Sequence, residues 1–343
     1  MTDLQAEMKR VKAKVDDLIL TGLLPKSSNV KEVDLLYTMM RDYPSRQAKG
    51  MRPFLCVTTC RAAGGTEDDA LLTAACIELF QNWILIHDDI EDGSELRRGE
   101  PALHRKYDKA LALNAGDALH ARTWEAILRN GPRLGLEKTY AVMQEFSHMV
   151  NETTEGQHME LGWVIGKRWD LNEGDYYEMC TRKTSWYTVA SPCRLGAIVA
   201  GAGGQVLDQL KEFGLGLGIA FQIQDDSLNL VGDQKKYGKA KSDDILEGKR
   251  TLILLHLLAV AGQGERDRVI SIMNKRREAK SESDVSYVLS LIDKYDAVGF
   301  ARKRATELMK KALVALHGIT WKGDRAAAEM LASYAKFAVE REW

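Results

Sequence analysis

The sequence predicts an all-α protein, and three observations carry that expectation. Apolar residues recur at steps of three and four, most of the six prolines fall where those patterns break, and no β-α-β alternation surrounds the one glycine-rich stretch. Pro25, Pro44, Pro53, Pro101 and Pro132 lie in polar or Gly-containing interruptions, which marks helix ends more than strands.

Taken in order, the first predicted helices are 4–20, 31–42 and 53–63. From near Asp68 the series Leu72, Cys76, Leu79, Trp83, Ile86, Ile90 steps by four and three as one stripe of a helix. Gly93-Ser94 then reads as a helix stop and loop. Segments 109–130, 135–165 and 173–202 continue the pattern. Within 204–230, Phe213, Leu215, Leu217, Ile219, Phe221 and Ile223 alternate as in a strand, yet Gly214, Gly216 and Gly218 would weaken a strand interior. Glycines four apart on a helix instead admit a close neighbour, so this stretch is read as a buried helix. Its G-x-G-x-G is not the G-x-G-x-x-G of a dinucleotide fold. Helices at 250–261, 284–316 and 323–341 complete the chain. No repeat, low-complexity run or Pro/Ser linker interrupts it, so one domain is expected over 1–343.

Composition removes other classes. The 343 residues carry 48 Lys+Arg against 49 Asp+Glu, a net charge of -1, with 45% hydrophobic residues. That balance suits a folded protein and argues against a dedicated nucleic-acid binder. No run of 18 apolar residues occurs and Met1 to Lys14 is charged throughout, so neither a membrane span nor a secretory signal is expected, and a cytoplasmic location is. Cys56, Cys60, Cys76, Cys180 and Cys193 form no C-x-x-C pair and sit among apolar neighbours, which predicts reduced core residues.

The chemistry concentrates at two helix ends. In His87-Asp88-Asp89-Ile90-Glu91-Asp92, Asp88 and Asp92 are one turn apart with Asp89 beside them, on a helix apolar nearly all round. Carboxylates at the negative pole of a buried helix repel each other and call for cations; hard oxygen ligands suit magnesium bridging to phosphate. An acidic helix end is often just solvated, but a second one weighs against that here. Phe221-Gln222-Ile223-Gln224-Asp225-Asp226 closes another apolar helix, with Asn229 one turn later. Cations accompany both: Arg97-Arg98-Gly99, Lys49-Gly50-Met51-Arg52-Pro53 at a helix start, Lys183-Thr184, Lys239, and Lys249-Arg250. With the aspartates they describe a pocket for polyanions held by magnesium and guanidinium forks.

These motifs, with Gly238-Lys239 and Asp244-Ile245-Leu246-Glu247-Gly248-Lys249-Arg250-Thr251, stand in the order seen in trans-isoprenyl diphosphate synthases, the polyprenyl synthetase family. The chain resembles that family over roughly 30–260, and most of all its short-chain geranylgeranyl-type archaeal members, since no two-residue insertion separates Asp89 from Asp92. The resemblance implies a large helical bundle of the isoprenoid synthase type with a central apolar cavity, usually a homodimer. It implies condensation of isopentenyl diphosphate with an allylic diphosphate to farnesyl or geranylgeranyl diphosphate. Asp88, Asp92 and Asp225 would hold three magnesium ions on the allylic diphosphate, with Asp89 and Asp226 in support. Arg97, Lys183, Thr184, Gln222, Lys239 and Lys249 would contact that diphosphate, and Lys183, Thr184 and Gln222 would also stabilise the carbocation. Lys49, Arg52, Gln81 and Arg98 would bind isopentenyl diphosphate. No dedicated His or Glu base is expected, and His87 is assigned to packing or a supporting hydrogen bond.

Two positions depart from the commonest family pattern. Gln81 stands for a histidine and Asn229 for the last aspartate of the second motif, so a weaker magnesium site is expected. Phe80, Trp83 and Ile84 lie at the positions that floor the product shaft in the family, which points to a product of fifteen or twenty carbons; simple core packing is the alternative for the two aromatics. A class I terpene cyclase would ordinarily carry an Asn-Ser-Glu second motif and would not need Lys49, Arg52 and Arg98. A regulatory subunit of a heteromeric synthase would typically lose one aspartate motif.

Overall fold

The computed structural model describes residues 3–231 and 242–341. Helix α1 (Asp3–Leu18) runs on into a π-helical turn, Ile19–Leu23. Helix α2 (Lys31–Ser45) carries Pro44 in its last turn and stops one residue later, as a residue without an N–H dictates. Gly50, left-handed at φ 65°, turns the chain into α3 (Met51–Ala62). Helix α4 (Glu67–Asp92) opens on a reciprocal capping box between Thr66 and Asp69 and closes on Gly93 at φ 64°.

The expected loop after α4 is a short hairpin, β1 (Leu96–Arg97) and β2 (Glu100–Pro101), pairing Leu96 with Pro101 and Arg97 with Glu100. Arg98 and Gly99, at φ 54° and 80°, make its two-residue turn, the conformation whose twist matches paired strands. Helices α5 (Leu103–Lys106), α6 (Lys109–Leu128) and α7 (Gly131–Ile165) follow, the last interrupted at Gly135 (φ 79°, ψ 168°). The predicted helix 173–202 comprises α8 (Glu173–Cys180), a π-helix (Thr181–Ala190) and α9 (Ser191–Ala200). Helix α10 (Gly204–Val231) includes 213–223, so the helical reading of that ambiguous stretch holds.

After α11 (Asp243–Glu247), α12 (Leu252–Val260), α13 (Gln263–Met273) and a 3-10 turn (Arg277–Ala279) come α14 (Glu282–Lys294), α15 (Ala297–His317) and α16 (Arg325–Glu340). The single helix expected over 284–316 is thus two, broken where Asp296 adopts φ 47°. Helix α13 occupies a stretch with no predicted element, because its polar first half hides the period.

The chain forms two compact units. One comprises Met1–His148, Ser191–Lys211 and Gly318–Tyr334; the other Met149–Ala190, Glu212–His317 and Ala335–Trp343. In the first, α3 is buried nearly all round, and Gly196 of α9 comes so close that a Cβ there would lie 2.1 Å from the Cys56 carbonyl oxygen. Helix α4 is long and apolar enough to cross a membrane by length and composition, but 67% of its most apolar window is buried within the protein, as in a core helix. All five cysteines are buried and free, as expected, and burial pushes the Cys60 thiol up to about 12.

In the second unit α10 uses its glycines for close packing. A Cβ on Gly214 would fall 2.3 Å from Ala190 Cα, and one on Gly218 2.4 Å from Ser185 Cα. The spacing of four therefore seats the π-helix against α10, as the sequence reading anticipated.

Candidate active site

At the end of α4, Asp88 and Asp92 are half-buried while Asp89 is wholly buried. Asp89 accepts hydrogen bonds from the Tyr43 hydroxyl and from Arg97, whose Nε lies 2.9 and 3.1 Å from its two oxygens. Arg97 Nη2 also reaches Asp88 at 3.2 Å. Burial alone would lower the Arg97 pKa, but Asp89 and Asp88 hold it above its ordinary value. Burial and the Asp89 charge push Tyr43 up, so its hydroxyl stays protonated and donates. That hydroxyl also accepts the Leu103 N–H at 3.0 Å.

The hairpin is what delivers Arg97, and Arg46 holds the hairpin. Its guanidinium donates to the carbonyls of Arg97 (2.7 Å) and Pro101 (2.9 Å) and covers the Tyr43 ring at 4.5 Å. Neither Tyr43 nor Arg46 was singled out from the sequence; both act on residues more than 40 positions away, and no local pattern marks them.

Of the residues assigned to isopentenyl diphosphate, Arg98 points inward. Its Nη1 donates to the Tyr43 carbonyl (2.7 Å) and to Asn82 Oδ1 (3.2 Å), and Nη2 is 4.0 Å from Glu78. Burial lowers its pKa against the pull of Glu78. Lys49 and Gln81 are half-buried, and Arg52 is buried in the first turn of α3. The methylene stem of Lys12 occupies the space a Cβ on Gly50 would need, only 2.6 Å away, so this joint between Lys49 and Arg52 tolerates glycine alone.

Phe80 and Trp83 are buried and Ile84 is half-buried. Trp83 stacks on His120 of α6 at 4.1 Å, meets Phe80 edge-on at 5.4 Å, and lies 5.9 Å from the His87 ring. His120 in turn receives the Trp124 Nε1–H at 2.8 Å. His87 Nε2 lies 3.6 Å from Asp117 and 3.4 Å from the Leu113 carbonyl oxygen.

In the second unit, Asp225 is half-buried and Asp226 buried at the end of α10. Asp226 accepts from the Tyr176 hydroxyl at 2.7 Å and from Gln222 Nε2 at 2.7 Å. Gln222 Oε1 accepts from the Thr184 hydroxyl at 2.8 Å. Burial pushes Asp226 up to about 6, against the downward pull of Tyr176 and Gln222. Asp225 is paired with Arg341, whose guanidinium covers the Phe221 ring at 4.2 Å and whose carbonyl accepts from Gln224 at 2.6 Å.

Lys183 sits on the π-helix, a geometry that recurs at functional sites, and is paired with the buried Glu160 of α7. A Cβ on Gly156 would lie 2.1 Å from the Lys183 nitrogen, so α7 and the π-helix touch backbone to backbone there. A mid-helix glycine with a buried acid one turn on is the signal that could have revealed Glu160. Tyr176 and Arg341 offered none. Lys249 is 2.8 Å from Glu247 and 4.0 Å from Asp244. Asn229 serves the chain itself: its side-chain oxygen accepts the Asp244 N–H at 3.2 Å and its carbonyl the Ser242 N–H at 3.0 Å. Lys239 lies outside the described residues.

The donor chemistry fits magnesium. Asp88 and Asp225 each already carry a guanidinium, a stand-in cation at the oxygens a metal would take. Asp89 and Asp226 are enclosed by protein donors. Among the described residues no three His, Cys, Asp or Glu side chains form a metal cage by themselves. Magnesium commonly takes one or two carboxylates and completes its shell with water and phosphate oxygens.

Comparison with known proteins gives this arrangement a lineage. The family model of polyprenyl synthetases matches residues 33–292. A short chain isoprenyl diphosphate synthase of Methanothermobacter thermautotrophicus is 35% identical over 294 residues, 86% of each chain. Among solved structures, the geranylgeranyl pyrophosphate synthetase of Pyrococcus horikoshii is 34% identical at a TM-score of 0.86, covering 99% of this chain and 100% of the other. The geranylgeranyl pyrophosphate synthase of Corynebacterium glutamicum, complexed with isoprenyl diphosphate and magnesium, is 25% identical at a TM-score of 0.89 with the same coverage. A match this long, in sequence and in fold, leaves one assignment: the chain belongs to the polyprenyl synthetase family.

Proposed function

We propose that this short-chain trans-prenyltransferase condenses isopentenyl diphosphate with dimethylallyl, geranyl or farnesyl diphosphate, giving farnesyl or geranylgeranyl diphosphate and free diphosphate. One observation carries the reading. Two helices end in aspartate pairs, in each pair a buried tyrosine locks the second member, and a guanidinium also reaches the first, Arg97 spanning both Asp88 and Asp89 and Arg341 pairing with Asp225.

Asp88, Asp92 and Asp225 would hold three magnesium ions, with Asp89 and Asp226 in support. Bound magnesium neutralises charge on the departing diphosphate. Arg97, Lys183, Lys239 and Lys249 bind the same allylic diphosphate through their positive charges, which stabilise the charge that grows as the carbon-oxygen bond breaks. Both electrons of that bond leave with the diphosphate. Thr184 and Gln222 stabilise the allylic cation that remains, and apolar walls keep water from it. Lys49, Arg52, Gln81 and Arg98 hold isopentenyl diphosphate so that its double bond supplies the electrons of the new carbon-carbon bond. The proton lost next passes to the released diphosphate.

Phe80, Trp83 and Ile84 set the depth available to the product. The enzyme acts as a homodimer, supported by the exposed apolar residues Leu111, Leu113 and Leu128 of α6 and Leu136 and Tyr140 of α7. A cytoplasmic location is supported by five free, buried thiols.

The test is incubation with isopentenyl diphosphate, magnesium and each allylic primer in turn, followed by chain-length analysis. Products of fifteen or twenty carbons are expected, and no condensation with any primer refutes the assignment. Trp83→Ala should lengthen the product; an unchanged length would show that Trp83 is not the floor.

A further inference from the structure

Lys249 stands just after α11, a helix of five residues, too short to hold its shape unaided. The helix closes on a Schellman turn. Gly248, left-handed at φ 78°, donates its N–H to the Ile245 carbonyl at 3.2 Å, and Lys249 donates its own to the Asp244 carbonyl at 2.9 Å. Two further carbonyls of the turn are taken by buried side chains from outside the helix. Lys280 Nζ donates to Leu246 at 2.7 Å, and the Arg250 guanidinium donates to Gly248. Burial lowers Arg250 to about 10 and, with the neighbouring arginines, Lys280 to about 8, so both keep their protons at neutral pH. Arg250 is 2% exposed and is gripped on its other side as well: its Nε donates to the Arg168 carbonyl at 3.1 Å, and its Cζ lies 4.0 Å over the Trp169 ring. Trp169 is tied in turn to Asn274, its Nε1–H reaching Oδ1 at 2.9 Å. Burying a guanidinium is costly, and among the described residues no carboxylate pairs with this one; it holds backbone instead.

We propose that Arg250 is a positioning residue for the allylic diphosphate, holding the peptide plane between Gly248 and Lys249 so that the Lys249 side chain leaves the turn in one direction. This rests on the prenyltransferase reading and on the place of Lys249 in it. The Gly248 carbonyl and the Lys249 N–H belong to one rigid peptide unit. Arg250 fixes the first and the Asp244 carbonyl the second, so the plane is held at both ends. Glycine on its near side offers little resistance to rotation by itself. From this fixed stem the Lys249 ammonium lies 2.8 Å from Glu247 and 4.0 Å from Asp244. A turned plane changes how the ammonium settles on those acids, which compete with a diphosphate for it. Arg250, sealed between backbone and the Trp169 ring, reaches no substrate itself.

Arg250→Met keeps an apolar stem over Trp169 but donates to neither carbonyl. Its kcat/KM for the allylic diphosphate should fall about tenfold, short of the ~100-fold that misplacing a group by about 1 Å costs. KM for isopentenyl diphosphate should stay within about twofold, since none of its binding residues is touched. Lys249→Ala should lower kcat/KM for the allylic diphosphate at least as far. The deciding measurement is the double-mutant cycle on that quantity. In a Lys249→Ala background Arg250→Met should change it by less than about twofold, because no ammonium remains to position, whereas a merely structural role would cost the same in either background. An unchanged kcat/KM in Arg250→Met, a tenfold loss that persists in the Lys249→Ala background, or an equal loss toward isopentenyl diphosphate would each overturn the inference. If Arg250→Met does not fold, Arg250→Lys keeps the charge but cannot span the Gly248 and Arg168 carbonyls with a guanidinium fork, and the same cycle applies. A wild-type enzyme inactive with every primer would instead refute the prenyltransferase reading beneath it.

Discussion

The two aspartate motifs solve one electrostatic problem with partners from different distances. At the end of α4, Asp89 is neutralised by Arg97, eight residues on, delivered by a hairpin. At the end of α10, among the described residues, Asp226 accepts from neutral donors, Tyr176 and Gln222, and Arg341 pairs with Asp225 from 116 residues away. Both motifs bury the second carboxylate against a tyrosine, and among the described residues the first alone gives it a charge partner. The first motif is therefore a closed ion pair built into local structure. The second is a polar line that depends on chain segments far apart, and burial leaves its carboxylate raised to about 6.

The largest expected effect follows from that contrast. Arg97→Leu leaves Asp89 fully buried with no paired cation among the described residues, and should cost about 3–5 kcal/mol of unfolding free energy by urea titration. A loss under ~1 kcal/mol would mean that Tyr43 and solvent suffice, and the two motifs would be alike. Next comes packing. Gly218→Ala places a methyl 2.4 Å from Ser185 Cα, where backbone must move, and about 1–3 kcal/mol is expected, with condensation activity falling alongside because Lys183 and Thr184 ride on the displaced π-helix. Stability lost with full activity would separate the π-helix from catalysis.

Tyr43→Phe should be milder, about 1–2 kcal/mol, since Asp89 loses one donor of several; thermal unfolding beside Tyr176→Phe compares the tyrosines directly, and the larger loss is expected at Tyr176, whose carboxylate meets no guanidinium or ammonium among the described residues. Smallest is Arg341→Gln. The Asp225 side chain is 28% exposed, so water can replace the guanidinium, and a loss of no more than about 1 kcal/mol is expected in the same urea titration. A much larger loss would show that Arg341 anchors the end of the chain and is more than a counter-ion.

Much of this was legible in the sequence because helices write their partners into local spacing. Asp88 and Asp92 one turn apart, the Gly93 stop, Gly214 and Gly218 four apart, and the buried cysteines all followed from period and composition. The hairpin was missed because two-residue strands leave no alternation to read, and its turn depends on a left-handed Arg98 that no propensity announces. The π-helix was missed for a related reason: one extra residue per turn hardly disturbs an apolar stripe. Asn229, read as a neutral replacement for the last aspartate of the second motif, also holds the Ser242–Asp244 turn, a use visible only once that turn is placed.

The sequence by itself determined the helical class, the two acidic helix ends and the cations that accompany them, since each rests on residues within a turn or two of one another. Tertiary structure alone decided which aspartate of each pair is sealed and which is left toward solvent and cations. That choice depends on Tyr43, Arg46, Tyr176, Glu160 and Arg341, side chains that arrive from 23 to 116 residues away. Burying a carboxylate is tolerable only where donors already stand, and no local pattern records where a distant donor will stand.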